Sequence, residues 1–146
     1  MFGNSIAQNA RIIYEDFPWL WAVRNQWYPG HMDVTVKNGY ENSSLDAFLN
    51  SYDVKDVEVW VCYVPYGGEE ERATCTTVIK IENSPEWKVN WAAKISGRLF
   101  SGFDICGIVL IRPNDKYPEI IRVYRIKKEQ RYNFRLALNK MATAAQ

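Results

Sequence analysis

FDICGIVLIRPNDKYPEIIRVYRI, residues 103–126, is the stretch of sequence that decides the fold. Its nearly continuous apolar run, Ile105 to Ile111, is typical of a strand buried on both faces. A turn rich in Pro, Asn and Asp follows, and then a second strand from Glu119 to Ile126. The stretch therefore predicts a buried hairpin with Arg112 at a strand end and Lys116 in its loop, where cations suit an anionic ligand.

The composition indicates one domain over residues 1–146, with residues 1–16 as an N-terminal arm. The cysteines Cys62, Cys75 and Cys106 all lie in apolar or β-branched runs and form no CxxC pair. This pattern predicts reduced, buried thiols in a cytoplasmic protein. No apolar run reaches the length of a membrane span, so no membrane partner is predicted.

Charge is distributed unevenly along the chain. From Arg112 onward there are nine Lys and Arg and three Asp and Glu, whereas the preceding 111 residues have nine and fourteen. A C-terminal third with this excess of cations favours an anionic partner. A solvated helix face is the alternative explanation.

The apolar periodicity predicts an α+β fold. Trp19, Trp21 and Val23 alternate as in a strand, which we favour over a helix beginning after Asp16. Strands are predicted at 17–25, 31–37, 57–65, 73–82 and in the hairpin above, and helices at 45–52, 84–96 and 129–144. The order is β-β-α-β-β-α-β-β-α, which predicts a curved antiparallel sheet with three helices packed on one face and the other face free for binding.

Catalytic residues are scarce in this sequence. His31 is the only histidine, and no Ser or Cys has the context of a nucleophile. A metal-dependent nuclease could be assembled from carboxylates and a lysine on neighbouring strands, namely Glu58, Lys80, Glu82 and Asp104. Their spacing matches no defined signature, so we predict no enzyme activity, no metal and no cofactor.

Binding residues are better represented. Trp27 and Tyr66 both fall in predicted loops, where two aromatic planes can hold a nucleobase between them. Glu69 and Glu70 follow the second aromatic and could accept hydrogen bonds from a guanine, while Arg112 and Lys116 could bind phosphates. The alternatives are a loop tryptophan tucked into the core, a turn tyrosine and solvated glutamates.

The chain resembles the translation-initiation factor 4E family of messenger-RNA cap-binding proteins. Residues 104–112, DICGIVLIR, are similar to that family's D-V-C-G-A-V-V-N-V-R strand. WLWAV at 19–23 resembles the family's first strand, and SLDAFLNSY at 44–52 resembles its first helix. The resemblance implies that Trp27 and Tyr66 stack on the cap, that Glu69 or Glu70 reads its base, and that Arg112 and Lys116 bind its phosphates.

The sequence also departs from the family pattern. Tyr66 stands where the family has its second stacking tryptophan, and Ile120 or Ile121 replaces the tryptophan beside the cap methyl group. Leu49 replaces the helix tryptophan that binds the family's protein partners. These differences indicate a divergent or minimal member, of a kind expected in viral or bacterial genomes.

The predicted function is therefore non-enzymatic binding of RNA or a guanine nucleotide. A basic helix face could extend the phosphate path along Lys128, Arg131 and Arg135. The alternative is a protein-interaction or inhibitor module that keeps the fold but has no ligand pocket, in which Trp27 and Tyr66 would pack inward. The nuclease is the third alternative.

Overall fold

A computed structural model describes residues 14–27, 35–43, 57–81, 89, 92–93, 102–112 and 119–144. Five strands are described: β1 Thr35–Ser43, β2 Val57–Pro65, β3 Thr74–Ile81, β4 Phe103–Arg112 and β5 Glu119–Arg125. The helices with defined bounds are α1 Leu20–Trp27 and α2 Arg131–Ala144, with short 3-10 helices at Glu70–Arg72 and Lys128–Gln130. Residues 14–16, 89 and 92–93 are also helical.

The strands form one sheet in the order β1-β5-β4-β2-β3. Four of them, β5, β4, β2 and β3, are mutually antiparallel, whereas β1 joins β5 in parallel. The α+β class, an open antiparallel sheet of four strands and the pairings β2–β3 and β4–β5 are thus confirmed. The parallel pairing of β1 departs from the wholly antiparallel sheet that was predicted. The strand predicted at 31–37 continues past Lys37 to Ser43, and its pairing with β5 is irregular between Val36 and Glu41. Residues 31–34 lie outside the described residues.

β4 is the centre of the fold, as its apolar run predicted. It lies between β2 and β5, and every residue from Asp104 to Ile111 is buried. The β4 side chains enter two separate apolar clusters, one on each face of the sheet: Ile105, Ile108 and Leu110 in the first, and Cys106, Val109 and Ile111 in the second. A strand buried on both faces needs cover on both faces.

The first face of the sheet is covered by α2. Phe134 and Leu138, one helical turn apart, pack with Val59, Ile108 and Leu110. Met141 packs against the same cluster. The predicted apolar face of the C-terminal helix is therefore confirmed. The buried Ala92 belongs to this cluster too, and it is one of the described residues of the helix predicted at 84–96.

The opposite face is covered by the segment predicted as the first strand. Residues 20–27 are helical, so the strand prediction for 17–25 is wrong. Phe17 and Pro18 form the turn that starts the helix, with the Leu20 amide donating to the Phe17 carbonyl over 3.0 Å. Leu20 is buried while Trp21 is 48% exposed, which is the reverse of what the alternating pattern required.

α1 and the residues before it lie on the face that was predicted to be open. Phe17, Trp19, Leu20 and Val23 pack with residues of β2, β3 and β4 that include Trp60, Cys62, Cys75, Cys106 and Val109. The predicted arrangement of three helices on one face and the predicted element order are therefore not confirmed. The helix predicted at 45–52 lies outside the described residues.

Gly107 lets the indole of Trp19 lie directly on β4. A Cβ atom placed on Gly107 would be 2.4 Å from Cζ2 of Trp19 and 2.6 Å from two neighbouring ring atoms. Trp19 is only 1% exposed, so its ring has no solvent space to move into. Glycine is thus required at the middle of β4 because a large aromatic side chain approaches the backbone closely there.

Candidate functional site

The loop between β2 and β3, residues 66–73, has a backbone conformation that requires glycine at two positions. Gly67 has a φ of 77°, a conformation that glycine adopts without strain. A Cβ atom at Gly68 would lie 2.9 Å from the Pro65 carbonyl oxygen. At the start of the loop, the Tyr66 amide donates to the Gly102 carbonyl over 2.9 Å. The loop is therefore fixed to the beginning of β4.

The glutamates of this loop are paired with cations from the C-terminal part of the chain. Both carboxylate oxygens of Glu70 accept from Arg125, at 3.1 and 2.9 Å. The same guanidinium donates to the Asp16 carbonyl and lies 4.6 Å from the Phe17 ring centroid. Arg125 therefore joins the loop, β5 and the start of α1.

Glu69 is less firmly held. Its carboxylate lies 3.2 Å from Lys128 Nζ, and the two side chains are 71% and 55% exposed. Exposed pairs of this kind contribute little to stability, because water screens them. Lys128 can therefore exchange this partner for another anion at little cost.

The Arg131 side chain is buried and supports the loop instead of being accessible to a ligand. It is 4% exposed, and its Nη1 donates to the Gly68 carbonyl over 2.9 Å. A buried guanidinium needs hydrogen-bond partners to offset the loss of hydration. This contact gives the β2–β3 loop a second anchor on the N-terminal turn of α2, beside the Lys128 contact.

Arg135 contacts the rings of two exposed tyrosines. Its guanidinium carbon is 4.3 Å from the ring centroid of Tyr66 and 5.3 Å from that of Tyr132. The rings belong to residues that are 47% and 59% exposed. Nε of Arg135 is 3.3 Å from Oδ1 of Asp104, a residue that is 7% exposed. We call Tyr66, Tyr132 and Arg135 the tyrosine–arginine surface.

Two exposed apolar residues, Phe103 and Leu136, are close in sequence to residues that form or hold this surface. Phe103 follows Gly102, which bonds the Tyr66 amide, and is 37% exposed. Its ring meets Tyr63 edge-on with 5.6 Å between centroids. Leu136, next to Arg135 along α2, is 49% exposed. The end of the sheet near Tyr66 therefore exposes aromatic and cationic groups together.

Arg112 lies at the other end of the sheet from this surface. Asp104 and Arg112 are eight residues apart on β4, which corresponds to about 26 Å in an extended strand. Nη1 of Arg112 is 3.3 Å from Oε1 of Glu119, and its side chain is 53% exposed. The structure therefore does not bring Arg112 and Tyr66 into one pocket.

The remaining predicted binding residues are only partly described. Trp27 is the last residue of α1 rather than part of a loop, and its side chain lies outside the described residues. Lys116 also lies outside them. Among the predicted binding residues, the structure brings together Tyr66, Glu69, Glu70, Lys128, Arg131 and Arg135.

The residues considered for a nuclease are separated as well. Glu58 accepts from Nε1 of Trp60 over 3.1 Å and pairs across the sheet with Ile111. Asp104 pairs with Val64, six residues further along β2, or about 20 Å away. The described part of the chain contains no group of three potential metal ligands.

Sequence reasoning missed Tyr132 and the role of Asp104 as the partner of Arg135. A signal for Tyr132 was present, because residues three apart on a helix share a face, and Tyr132 precedes Arg135 by three. The contact with Tyr66 carried no such signal. It joins residues 69 positions apart in the chain, across a loop and a helix.

No family model, curated protein or solved structure matches this chain. The resemblance to the cap-binding family thus stays a prediction from the quoted motifs. Within the described residues, no helix has the length and apolar character needed to cross a membrane.

Proposed function

We propose that the protein binds single-stranded RNA or a nucleotide without catalysis, through the tyrosine–arginine surface. The observation that carries this proposal is the contact of the Arg135 guanidinium with the rings of two exposed tyrosines. Flat groups of this kind can stack on any base, with about 1–3 kcal/mol per stacked base. A guanidinium beside the rings adds a positive charge, and its own planar face can also stack on a base.

Asp104 supports this function by orienting Arg135. Its carboxylate is buried at the start of β4 and lies 3.3 Å from Nε of Arg135, so the guanidinium is tied on one side. The tie reduces the side-chain entropy that would otherwise be lost when a base or phosphate binds. Asp104 is thus a positioning residue, and we expect Tyr66, Tyr132 and Arg135 to contact the ligand.

Phosphate contacts would come from the exposed lysines near the N-terminus of α2. Lys127 is exposed, and the contact of Lys128 with Glu69 is itself open to solvent. Arg131 is buried under the loop and supports the site rather than lining a phosphate path. Arg112, at the far end of β4, could be reached only by an RNA of several nucleotides.

The test is a fluorescence-anisotropy titration with a labelled single-stranded RNA at low salt. Tyr66→Ala and Tyr132→Ala should each weaken binding by about 5- to 150-fold, which corresponds to one lost stacking contact. Trp21→Ala removes an exposed aromatic outside the surface and serves as the matched control, with unchanged affinity expected. Absence of binding by the folded protein at low salt would overturn the proposal.

Competition by guanine nucleotides, methylated and unmethylated, tests the resemblance to the cap-binding family in the same assay. Methyl-selective displacement of the RNA would support a cap-type ligand. Equal displacement by all nucleotides would instead support stacking without base selection, as expected for an open surface.

A protein-interaction module is the second candidate function. It is favoured by Phe103, an exposed apolar residue that follows Gly102, whose carbonyl accepts from the Tyr66 amide. Tyrosine, phenylalanine and arginine are the residues enriched at the energetic centres of protein interfaces. If RNA fails to bind, recovery of a protein partner by the wild type, but not by Tyr66→Ala, would favour this second function.

A further inference from the structure

Three thiols lie on one face of the sheet, in three neighbouring strands. Cys75 of β3, Cys62 of β2 and Cys106 of β4 all belong to the cluster under α1, and all three are buried and free. None of them takes part in the proposed binding surface. Cys62 is the central member, since β2 lies between β3 and β4.

Cys62 and Cys75 are direct cross-strand partners. They pair in the antiparallel ladder of β2 and β3, within a run of regular register from Trp60 to Tyr63. Directly opposed residues have Cα atoms about 4.5–5.5 Å apart, inside the range of about 4.4–6.8 Å that a disulfide spans. The spacing of a directly opposed pair therefore suits a disulfide between Cys62 and Cys75.

Cys106 is placed differently. Cys62 pairs with Gly107 on β4, and the register is irregular between Cys62 and Tyr63, where Cys106 falls. The Cys106 thiol donates to the carbonyl oxygen of Cys62 over 3.4 Å rather than facing its sulfur. Register and hydrogen bonding therefore both separate Cys106 from the pair.

The geometry points to Cys62 and Cys75 as a site of oxidative modification, at which a small membrane-permeable oxidant forms a disulfide between β2 and β3 without unfolding the protein. With a diazene such as diamide, one thiolate adds to the N=N bond and the second thiolate displaces the reduced nitrogen compound. The two sulfurs become a disulfide, and the diazene takes up two protons and two electrons to become a hydrazine.

Reaction requires access to the edge of the sheet. β3 is an outer strand, flanked by β2 alone in the described sheet, so it is better placed to open locally than the central strands. Burial and the adjacent Cys75 thiol raise the pKa of Cys62. Because the thiolate is the attacking species, oxidation should be slow at neutral pH and faster as the pH rises.

The consequence of the disulfide is a covalent attachment of the edge strand. It would close the chain around residues 62–75, the segment that contains Tyr66, Glu69 and Glu70. A cross-link of this kind limits the unfolded chain and should raise the urea concentration at which the protein unfolds. The oxidised protein should keep the conformation of the β2–β3 loop, because Gly67 and Gly68 already allow its backbone to turn there.

The test is oxidation of the full chain with diamide, under native conditions, followed by digestion without reductant and mass spectrometry. We expect a linked peptide pair containing Cys62 and Cys75, loss of two hydrogen atoms from the intact mass, and an unchanged circular dichroism spectrum. Cys106→Ala is the matched control and should oxidise like the wild type, whereas Cys75→Ala should form no internal disulfide.

Any of three results would overturn the inference: a link that involves Cys106, a link between two chains only, or no link in the folded wild type although all three thiols react in urea. Mapping is done on the wild type, so the test stands even if Cys75→Ala folds poorly. The raised urea midpoint, reversed by reductant, is the second readout.

Discussion

Replacing Gly107 with alanine tests the packing that organises the whole sheet. On strand preference alone the change should be neutral or favourable, because glycine is entropically costly in a strand. The structure predicts the opposite, since the new Cβ would lie 2.4 to 2.6 Å from three ring atoms of Trp19. Carbon atoms do not approach this closely, and the buried indole cannot swing into solvent.

The expected cost follows from overpacking of a dense core. Inserting a methyl group into such a site destabilises a protein by about 1–3 kcal/mol. For a chain of this size, that loss should lower the urea midpoint by roughly 1 M, as followed by far-UV circular dichroism. Circular dichroism is the preferred probe because the partner substitution removes a tryptophan.

The partner substitution is Trp19→Phe, which removes the ring atoms that the new Cβ would meet. Gly107→Ala should cost clearly less in the Trp19→Phe background than in the wild type, with a coupling of about 0.5–3 kcal/mol. An unchanged urea midpoint for Gly107→Ala, or the same cost in both backgrounds, would refute the packing of Trp19 on β4.

Three further predictions concern charged and titratable groups. Glu70→Ala should destabilise the protein by about 1–3 kcal/mol in urea unfolding, because it leaves the partly buried Arg125 without its carboxylate. Glu69→Ala, whose lysine partner is exposed, should change stability by less than about 1 kcal/mol. Burial raises the pKa of Cys106 from 9.0 to about 12. Between pH 9 and pH 12 the folded state keeps the thiol proton and the unfolded state loses it. The free energy of unfolding should therefore fall by about 1.4 kcal/mol per pH unit over this range because of this thiol. Cys106→Ala should show a smaller slope in thermal unfolding. Arg112→Ala should weaken binding of a long RNA in a salt-dependent manner but leave mononucleotide binding unchanged.

The sequence was most informative where burial repeats with a simple period. The run from Ile105 to Ile111 identified the central strand, since only a strand covered on both faces has so few polar positions. The assignment of β2 side chains to two faces was equally direct, since Val57, Val59 and Val61 enter one cluster and Trp60 and Cys62 the other. So was the four-residue spacing of Phe134 and Leu138 in α2.

The first element was mispredicted because two periods fit the same residues. Trp19, Trp21 and Val23 are apolar at every second position, but Leu20 is apolar as well and takes the buried site. A helix beginning after Asp16 was the alternative not favoured, because the alternation of the tryptophans indicated a strand. The helix begins at Leu20. Because this segment is a helix rather than a strand, it covers the sheet face that was predicted to be open.

The candidate site shows why side-chain partners are harder to predict than elements. A single rim was predicted to hold Trp27, Tyr66, Glu69 and Glu70 together with the cations Arg112 and Lys116. Among the described members, the structure keeps together Tyr66, Glu69 and Glu70, which are near neighbours in the β2–β3 loop. Their cationic partners come from β5 and α2 rather than from the β4–β5 turn, because the direction of β4 puts Arg112 at the opposite end of the sheet. Strand direction is a property of the topology, and local residue patterns do not contain it.

Photo-crosslinking of a single-stranded RNA containing 5-iodouridine tests the proposed function most directly, because this base reacts with aromatic side chains on which it stacks. The crosslinked peptides are identified by mass spectrometry. The tyrosine–arginine surface predicts crosslinks at Tyr66 and Tyr132 that are lost on competition with unlabelled RNA. Crosslinks confined to other aromatic residues, or none above those of a denatured control, would contradict it.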